Sequence, residues 1–105
     1  MTGMDDLATW LRACLDDDER VARAAERFWH GVRVESATMA EEDHVRRWDP
    51  ARVLAEIDAK RRILDWVDEV SISRAVTWSF DPSRPLRLLA LPYADRDGYQ
   101  QSWRP

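Results

Sequence analysis

The chain has 105 residues and a formal net charge of −4, from 16 basic and 20 acidic side chains. This length fits one domain, 1–105, with a core of its own. The single cysteine, Cys14, excludes an internal disulfide bond and any zinc site built from several thiolates. No apolar run reaches the ~18 residues needed to span a bilayer, and the N-terminus lacks a secretory pattern. We therefore expect a cytoplasmic protein with no membrane association.

The charge is distributed unevenly along the chain. Residues 1–69 hold 17 acidic and 11 basic side chains, a balance of −6, whereas residues 70–105 hold 3 acidic and 5 basic, a balance of +2. An acidic body repels phosphate backbones at long range, which counts against general affinity for nucleic acid.

The first segment, from about Asp5 to His30, has the pattern of one long helix. Asp5 and Asp6 suit the positive end of the helix dipole, and Gly31 is a suitable stop. The acidic run 16–19 interrupts the stripe at Asp18 and is predicted to be a solvated face, because it lacks the spacing of a calcium loop. Apolar residues recur at three- and four-residue steps: Leu7, Trp10, Leu11, Cys14, Leu15, Val21, Ala22, Ala25, Phe28 and Trp29.

A second helix is predicted from the Asp49-Pro50 start signal to about Val67 or Asp68. The aspartate supplies an N-cap acceptor, and proline at the first helical position loses no hydrogen bond. Its apolar face is interrupted by Lys60, Arg61 and Arg62, whose aliphatic stems can cover the core while their charges reach water.

Residues 70–80 alternate between apolar and small polar side chains, which predicts a half-buried strand. A single strand needs a partner, and the short Val32–Val34 segment is the candidate. Residues 81–85 indicate a turn, 86–91 a short helical segment, and Tyr99 with Trp103 a final turn docked by its aromatics. The predicted fold is therefore α+β: two main antiparallel helices, a small two-stranded sheet and a C-terminal helical segment.

No catalytic or metal-binding motif emerges from the sequence. His30 and His44 have carboxylates near them but not the spacing of a zinc site, and the three glycines build no phosphate-binding loop. Cys14 lies on the apolar stripe and is predicted to be an inert core thiol. We therefore expect no enzyme, no cofactor and no metal. An enzyme that pairs His44 with a carboxylate is a weaker alternative, since no second half of such a site is visible.

The six tryptophans are many for this length. Trp10, Trp29 and Trp78 fall on predicted apolar faces and are assigned to the core. The others lie beside charge or at segment edges, and tryptophan and arginine are the side chains most often found at binding hot spots. The predicted protein-binding surface consists of Trp48, Trp66, Trp103, Arg61 and Arg62.

Two stretches resemble an uncharacterised family of small actinobacterial and actinophage proteins. They are residues 49–65, DPARVLAEIDAKRRILD, and residues 86–95, LRLLALPYAD, with the ending Trp103-Arg104-Pro105; the opening from Met4 to Ala24 is similar too. The resemblance implies histidines around the Asp-Pro start and a Cys-x-x-Cys pair, which together suggest zinc. Here His44 matches the first histidine, Trp48 and Val67 stand where others are usual, and 70–85 has no cysteine, so a metal site is not expected.

Two functions are carried forward from the sequence. The first is a non-enzymatic protein-binding or regulatory module of phage or prophage origin, with self-association as a homodimer along the first helix as one form of it. The alternative is a nucleic-acid-associated accessory factor that uses an arginine-rich helix face, with Arg46, Arg47, Arg52 and Lys60 as contacts.

Overall fold

The structure is a computed structural model that describes residues 3–26, 40, 44, 47–72 and 81–105. Within these residues there are three α-helices: α1 (Gly3–Glu26), α2 (Pro50–Ile72) and α3 (Ser83–Ala90). Two short 3-10 turns follow, over Leu91–Tyr93 and Gln101–Trp103.

The predicted α+β class is wrong, because every element in the described part of the chain is helical. Residues 70–72, which would begin the strand, instead form the last turn of α2. The fully buried Val67 holds this turn in the helix, and the Ser71 hydroxyl donates to the Val67 carbonyl at 2.8 Å. The remaining strand residues, 73–80, and the partner at 32–34 lie outside the described residues.

Helices α1 and α2 form the antiparallel pair that the sequence predicts. Arg12 near the start of α1 binds Asp65 and Asp68 near the end of α2, whereas Arg61 in mid-α2 reaches further along α1, to Asp16 and Glu19. The Asp49 carboxylate accepts a hydrogen bond from the Arg52 N–H at 2.9 Å, which confirms the predicted cap of α2.

Helix α3 closes the core over the first half of α1. Its start is fixed by Asp81, whose Oδ1 accepts from the Ser83 N–H at 2.9 Å and from the Ser83 hydroxyl at 2.7 Å. These hydrogen bonds, with nearby Arg87 and Arg84, lower the pKa of the Asp81 carboxyl. The core draws on all three helices and the tail: Leu7, Leu11, Cys14, Leu15, Ile57, Leu64, Val67, Leu86, Ala90, Tyr93 and Trp103.

The C-terminal tail is docked by three aromatic rings. The Trp10 ring centre lies 5.6 Å from that of Tyr99 and 5.3 Å from that of Trp103, and the last two are 5.7 Å apart in an edge-to-face arrangement. The Trp10 indole N–H donates to the Asp97 carbonyl at 2.9 Å. The tail was predicted to dock by its aromatics, and these contacts confirm it, although only Trp103 lies within a helical turn.

Candidate functional site

An open groove of about 350 Å³ lies between the second half of α1 and the beginning of α2. Two of its lining side chains are large, apolar and about half exposed: Val21 at 54% and Trp48 at 47%. The wall on α1 is otherwise made of small side chains, Ala22 and Ala25, and the wall on α2 continues with Pro50 and Val53. Small residues on one wall leave space that an incoming apolar side chain can fill.

Trp48, the largest side chain in the groove, is held in place by its neighbours. The Arg52 guanidinium carbon lies 4.5 Å from the centre of the indole, a cation–π contact. Arg52 is itself held by Glu56, with Nε 3.3 Å from Oε1. The His44 ring centre lies 6.3 Å away. An exposed ring whose position is already fixed loses little conformational entropy on binding, which is typical of a binding anchor.

The groove carries one ionisable side chain, Asp18, and its charge is compensated. Asp18 Oδ1 accepts from the Arg96 guanidinium at 2.7 Å, and only 23% of the Asp18 side chain is exposed. The surface that the groove offers to a partner is therefore apolar, with no uncompensated charge among its lining residues.

The structure does not bring the predicted protein-binding residues into one surface. Trp66 is 49% exposed, but it lies in the second half of α2, whereas Trp48 precedes the start of that helix. Trp103 is only 4% exposed, so its assignment to the surface is wrong: its ring fills the space between Trp10 and the core. Arg61 is bound between Asp16 and Glu19, each at 2.6 Å, and Arg62 points outward to Asp58.

The basic residues of the nucleic-acid alternative are also dispersed. Lys60 Nζ lies 3.3 Å from the Tyr93 hydroxyl, and Arg52 is engaged by Trp48 and Glu56. Arg47 is exposed, whereas Arg46 lies outside the described residues. Of the four, Arg52 is paired with a carboxylate, and a guanidinium already paired in this way has less to gain from a phosphate.

Sequence reasoning missed a polar cluster where α1, α2 and the 3-10 turn at Tyr93 meet. Lys60 contacts the Tyr93 hydroxyl, and the Arg96 guanidinium lies 4.6 Å from the Tyr93 ring centre while binding Asp18. Asp18 falls where the apolar stripe of α1 should continue, and that interruption was the available signal. The acidic run is thus partly an interior contact, and the expectation of a fully solvated face is wrong for Asp18.

Two groups of the cluster, the Tyr93 phenol and the Cys14 thiol, have raised pKa values. Burial raises the pKa of Tyr93 to about 12, and the Asp18 carboxylate, which accepts a hydrogen bond from the phenol, adds to the effect. Burial likewise raises the pKa of the Cys14 thiol, and Cys14 is free and buried, as predicted. Neither group is ionised near neutral pH, so neither is an activated base or nucleophile.

The raised pKa of Tyr93 predicts a loss of stability at high pH. Between about pH 10 and pH 12 the folded protein keeps a proton that an unfolded tyrosine has lost. The free energy of unfolding therefore decreases as pH rises through this range. Urea unfolding of the wild type and of Tyr93→Phe at a series of pH values measures this loss. We expect the free energy of unfolding of the wild type to fall towards that of Tyr93→Phe as the pH approaches 12. A difference between the two proteins that does not change with pH would contradict the raised pKa of Tyr93.

A model of the family of unknown function DUF6221 matches residues 4–105, nearly the whole chain. The chain belongs to the DUF6221 family. No curated protein and no solved structure matches it. Membership of DUF6221 supports the resemblance to an uncharacterised family that the sequence indicates.

The metal site that the resemblance implies has no counterpart among the described residues of this DUF6221 chain. Over 3–26, 47–72 and 81–105, with Ala40 and His44, no three His, Cys, Asp or Glu side chains are grouped to hold an ion. His44 is exposed and lies beside Trp48. In the same parts of the chain, no helix has the length and hydropathy to cross a membrane.

Proposed function

We propose that this DUF6221 chain is a non-enzymatic protein-binding module whose groove receives the apolar face of a helix from a partner protein. The observation that carries the proposal is the groove itself, in which Trp48 and Val21 stand about half exposed above small side chains. Helix-in-groove recognition uses this combination of an apolar cleft and a few large anchors. Tryptophan is also among the residues that contribute most to binding.

The chemistry of the groove favours an apolar occupant over a charged one. Asp18 is already bound by Arg96, so a cationic side chain placed there would compete with an existing ion pair. A charged group without a partner would lose its hydration and gain nothing in return. Aliphatic side chains spaced along one face of a helix would fill the space beside Ala22 and Ala25.

The protonation states in the polar cluster support a binding role over catalysis. Tyr93 and Cys14, its two acidic groups with a displaced pKa, both have that pKa raised rather than brought near neutrality. Arg96, the cation beside them, is engaged by Asp18 and by the Tyr93 ring. The contacts of the cluster therefore fix the C-terminal tail against the α1–α2 pair, which is a structural role.

The nucleic-acid alternative is favoured by no arrangement of the described residues. Arg52, Arg61 and Arg62 each bind a carboxylate, and Arg61 binds two. A gel shift at low salt tests this alternative, and salt-sensitive binding would restore it. The cytoplasmic location and the actinobacterial or phage origin stay predictions, and the gene neighbourhood tests the origin.

The proposed function is tested by crosslinking and by a matched pair of tryptophan variants. A photoreactive residue at Val21, inside the groove, should capture a partner in the native host, whereas the same residue at Asp58, on the outer face of α2, should not. With the captured partner purified, Trp48→Ala should weaken binding by about 30-fold, the effect of a hot spot of ~2 kcal/mol.

Trp66→Ala is the matched control, since it removes the same type of side chain, at nearly equal exposure, from a position outside the groove. We expect it to change the affinity less than about threefold. Equal losses of affinity in Trp48→Ala and Trp66→Ala, or equal crosslinking from positions 21 and 58, would refute the proposal that the groove binds the partner. Capture of a second copy of the chain would replace the partner protein with a homodimer.

A further inference from the structure

Three arginines of the described residues are partly buried, and they are treated differently by the fold. Arg12 binds the carboxylates of Asp65 and Asp68, and Arg61 binds those of Asp16 and Glu19. Arg87, on α3, has no carboxylate partner in the part of the chain that the structure describes. Its Nη1 donates to the Ser102 carbonyl at 3.2 Å, and its buried Nε–H has no hydrogen-bond partner among the described residues.

A buried guanidinium N–H without an acceptor is costly, because it has lost its hydration without replacement. In Arg12 and Arg61, two carboxylate groups each accept hydrogen bonds from the guanidinium and compensate its charge. Arg87 has a single neutral acceptor, the Ser102 carbonyl, although a guanidinium offers five donors in a planar fork that matches a carboxylate. Of these three arginines, only Arg87 lacks a carboxylate hydrogen-bond partner among the described residues, although the nearby Asp81 carboxylate interacts with its charge.

Arg87 borders a cavity of about 290 Å³ between the start of α1, the start of α3 and the C-terminal tail. Its other polar lining residues are Ser83, Gln100 and Ser102, and its apolar wall includes Leu7 and Trp103. The Trp48 groove lies elsewhere: Ala22 in that groove is 15 residues from Leu7, or about 22 Å along α1. This cavity combines one cation, a few neutral hydrogen-bonding groups and an apolar wall.

We propose that this cavity binds a monovalent carboxylate with a short apolar body, and that Arg87 receives the carboxylate. Arg87 lines the cavity and has no carboxylate partner among the described residues, so a bound carboxylate would give its guanidinium an anionic partner, in charge-assisted hydrogen bonds that are stronger than neutral ones. The apolar body then rests against Leu7 and Trp103. A single guanidinium beside an apolar wall suits one negative charge better than the two of a phosphate. The nearby Asp81 carboxylate is engaged by Ser83 and does not line the cavity.

Nuclear magnetic resonance titration with butyrate tests the site directly. We expect saturable shifts of the Arg87 side-chain Nε–H signal and of the Gln100 and Ser102 amide signals. Butyramide has the same apolar body without the charge, so we expect it to bind at least about tenfold more weakly. Inorganic phosphate should also bind more weakly than butyrate. No saturable shift with butyrate, or equal binding of butyrate and butyramide, would overturn the proposal.

Variants on α3 separate the site from general surface charge. Arg87→Gln should abolish the butyrate shifts, whereas Arg84→Gln, one turn earlier and exposed, should leave them unchanged. If Arg87→Gln fails to fold, the comparison of butyrate with butyramide on the wild type decides the matter alone. A short peptide ending in valine, with a free or an amidated C-terminus, identifies the source. Tighter binding of the free-ended peptide than of butyrate would assign the site to a chain terminus, and the reverse order to a small acid.

Discussion

Replacing Trp103 with alanine is expected to cost about 3–5 kcal/mol of unfolding free energy, the range for removing a large aromatic side chain from a core. Trp103 is 4% exposed and its ring meets both Trp10 and Tyr99. Its loss would remove burial and two ring contacts worth about 0.5–1.5 kcal/mol each. Since small domains are stable by only about 5–15 kcal/mol, much of the molecule's stability depends on this ring.

Urea unfolding followed by circular dichroism measures this effect. Trp66→Ala removes the same side chain from a site that is 49% exposed, and we expect it to cost clearly less than Trp103→Ala, because about half of the side chain already lies in solvent. Trp103→Phe should retain most of the stability, because a smaller ring still fills part of the space. Similar losses for Trp103→Ala and Trp66→Ala would show that Trp103 is not a core residue.

The same pair of tryptophans shows where the sequence was informative and where it was not. Both stand near charged residues, so local sequence gives them the same assignment. What separates them is the tail: Trp103 is buried because Gly98 and Tyr99 bring the chain back onto Trp10. Trp10 is 88 positions from Gly98 and 89 from Tyr99, and contacts at such separations leave no periodic signal in either segment.

The helices were predictable because their signals are local. Apolar steps of three and four residues define α1, and the Asp49-Pro50 pair defines the start of α2. The end of α2 was not predictable, since Val70 fits both a strand that alternates from Val70 to Ile72 and a helix that continues from Val67 by a three-residue step. Periodicity alone cannot separate these readings over a few residues. Val67 is completely buried in the core, which favours the helical conformation at this end of α2.

The candidate groove was predictable only in part. Trp48 was identified from its residue type and neighbours, but Val21 was assigned to the core and is 54% exposed. Val21 and Ala25, which belong to the stripe of α1, line the groove. The pairing of Asp18 with Arg96 was not predictable either, because it joins residues 78 positions apart.

Gly98→Ala is the second substitution with a large expected effect, about 3 kcal/mol. Gly98 has a φ of +90°, a conformation that costs residues with a side chain about 1–3 kcal/mol. A Cβ at this position would lie 2.7 Å from Trp10 Nε1, so the indole would have to move. That movement would break the hydrogen bond to the Asp97 carbonyl, worth about 0.5–1.5 kcal/mol, and disturb the aromatic cluster.

A double-mutant cycle with Trp10→Phe separates these two causes. The smaller ring lacks the Nε1 atom that the new methyl group would meet, so in that background Gly98→Ala should cost only the backbone strain, about 1–2 kcal/mol. We therefore expect a coupling of about 1 kcal/mol between the two positions. An equal cost in both backgrounds would mean that the backbone conformation alone requires glycine. A cost below about 0.5 kcal/mol in the wild type would contradict the turn geometry itself, because both the strain and the clash would then be missing.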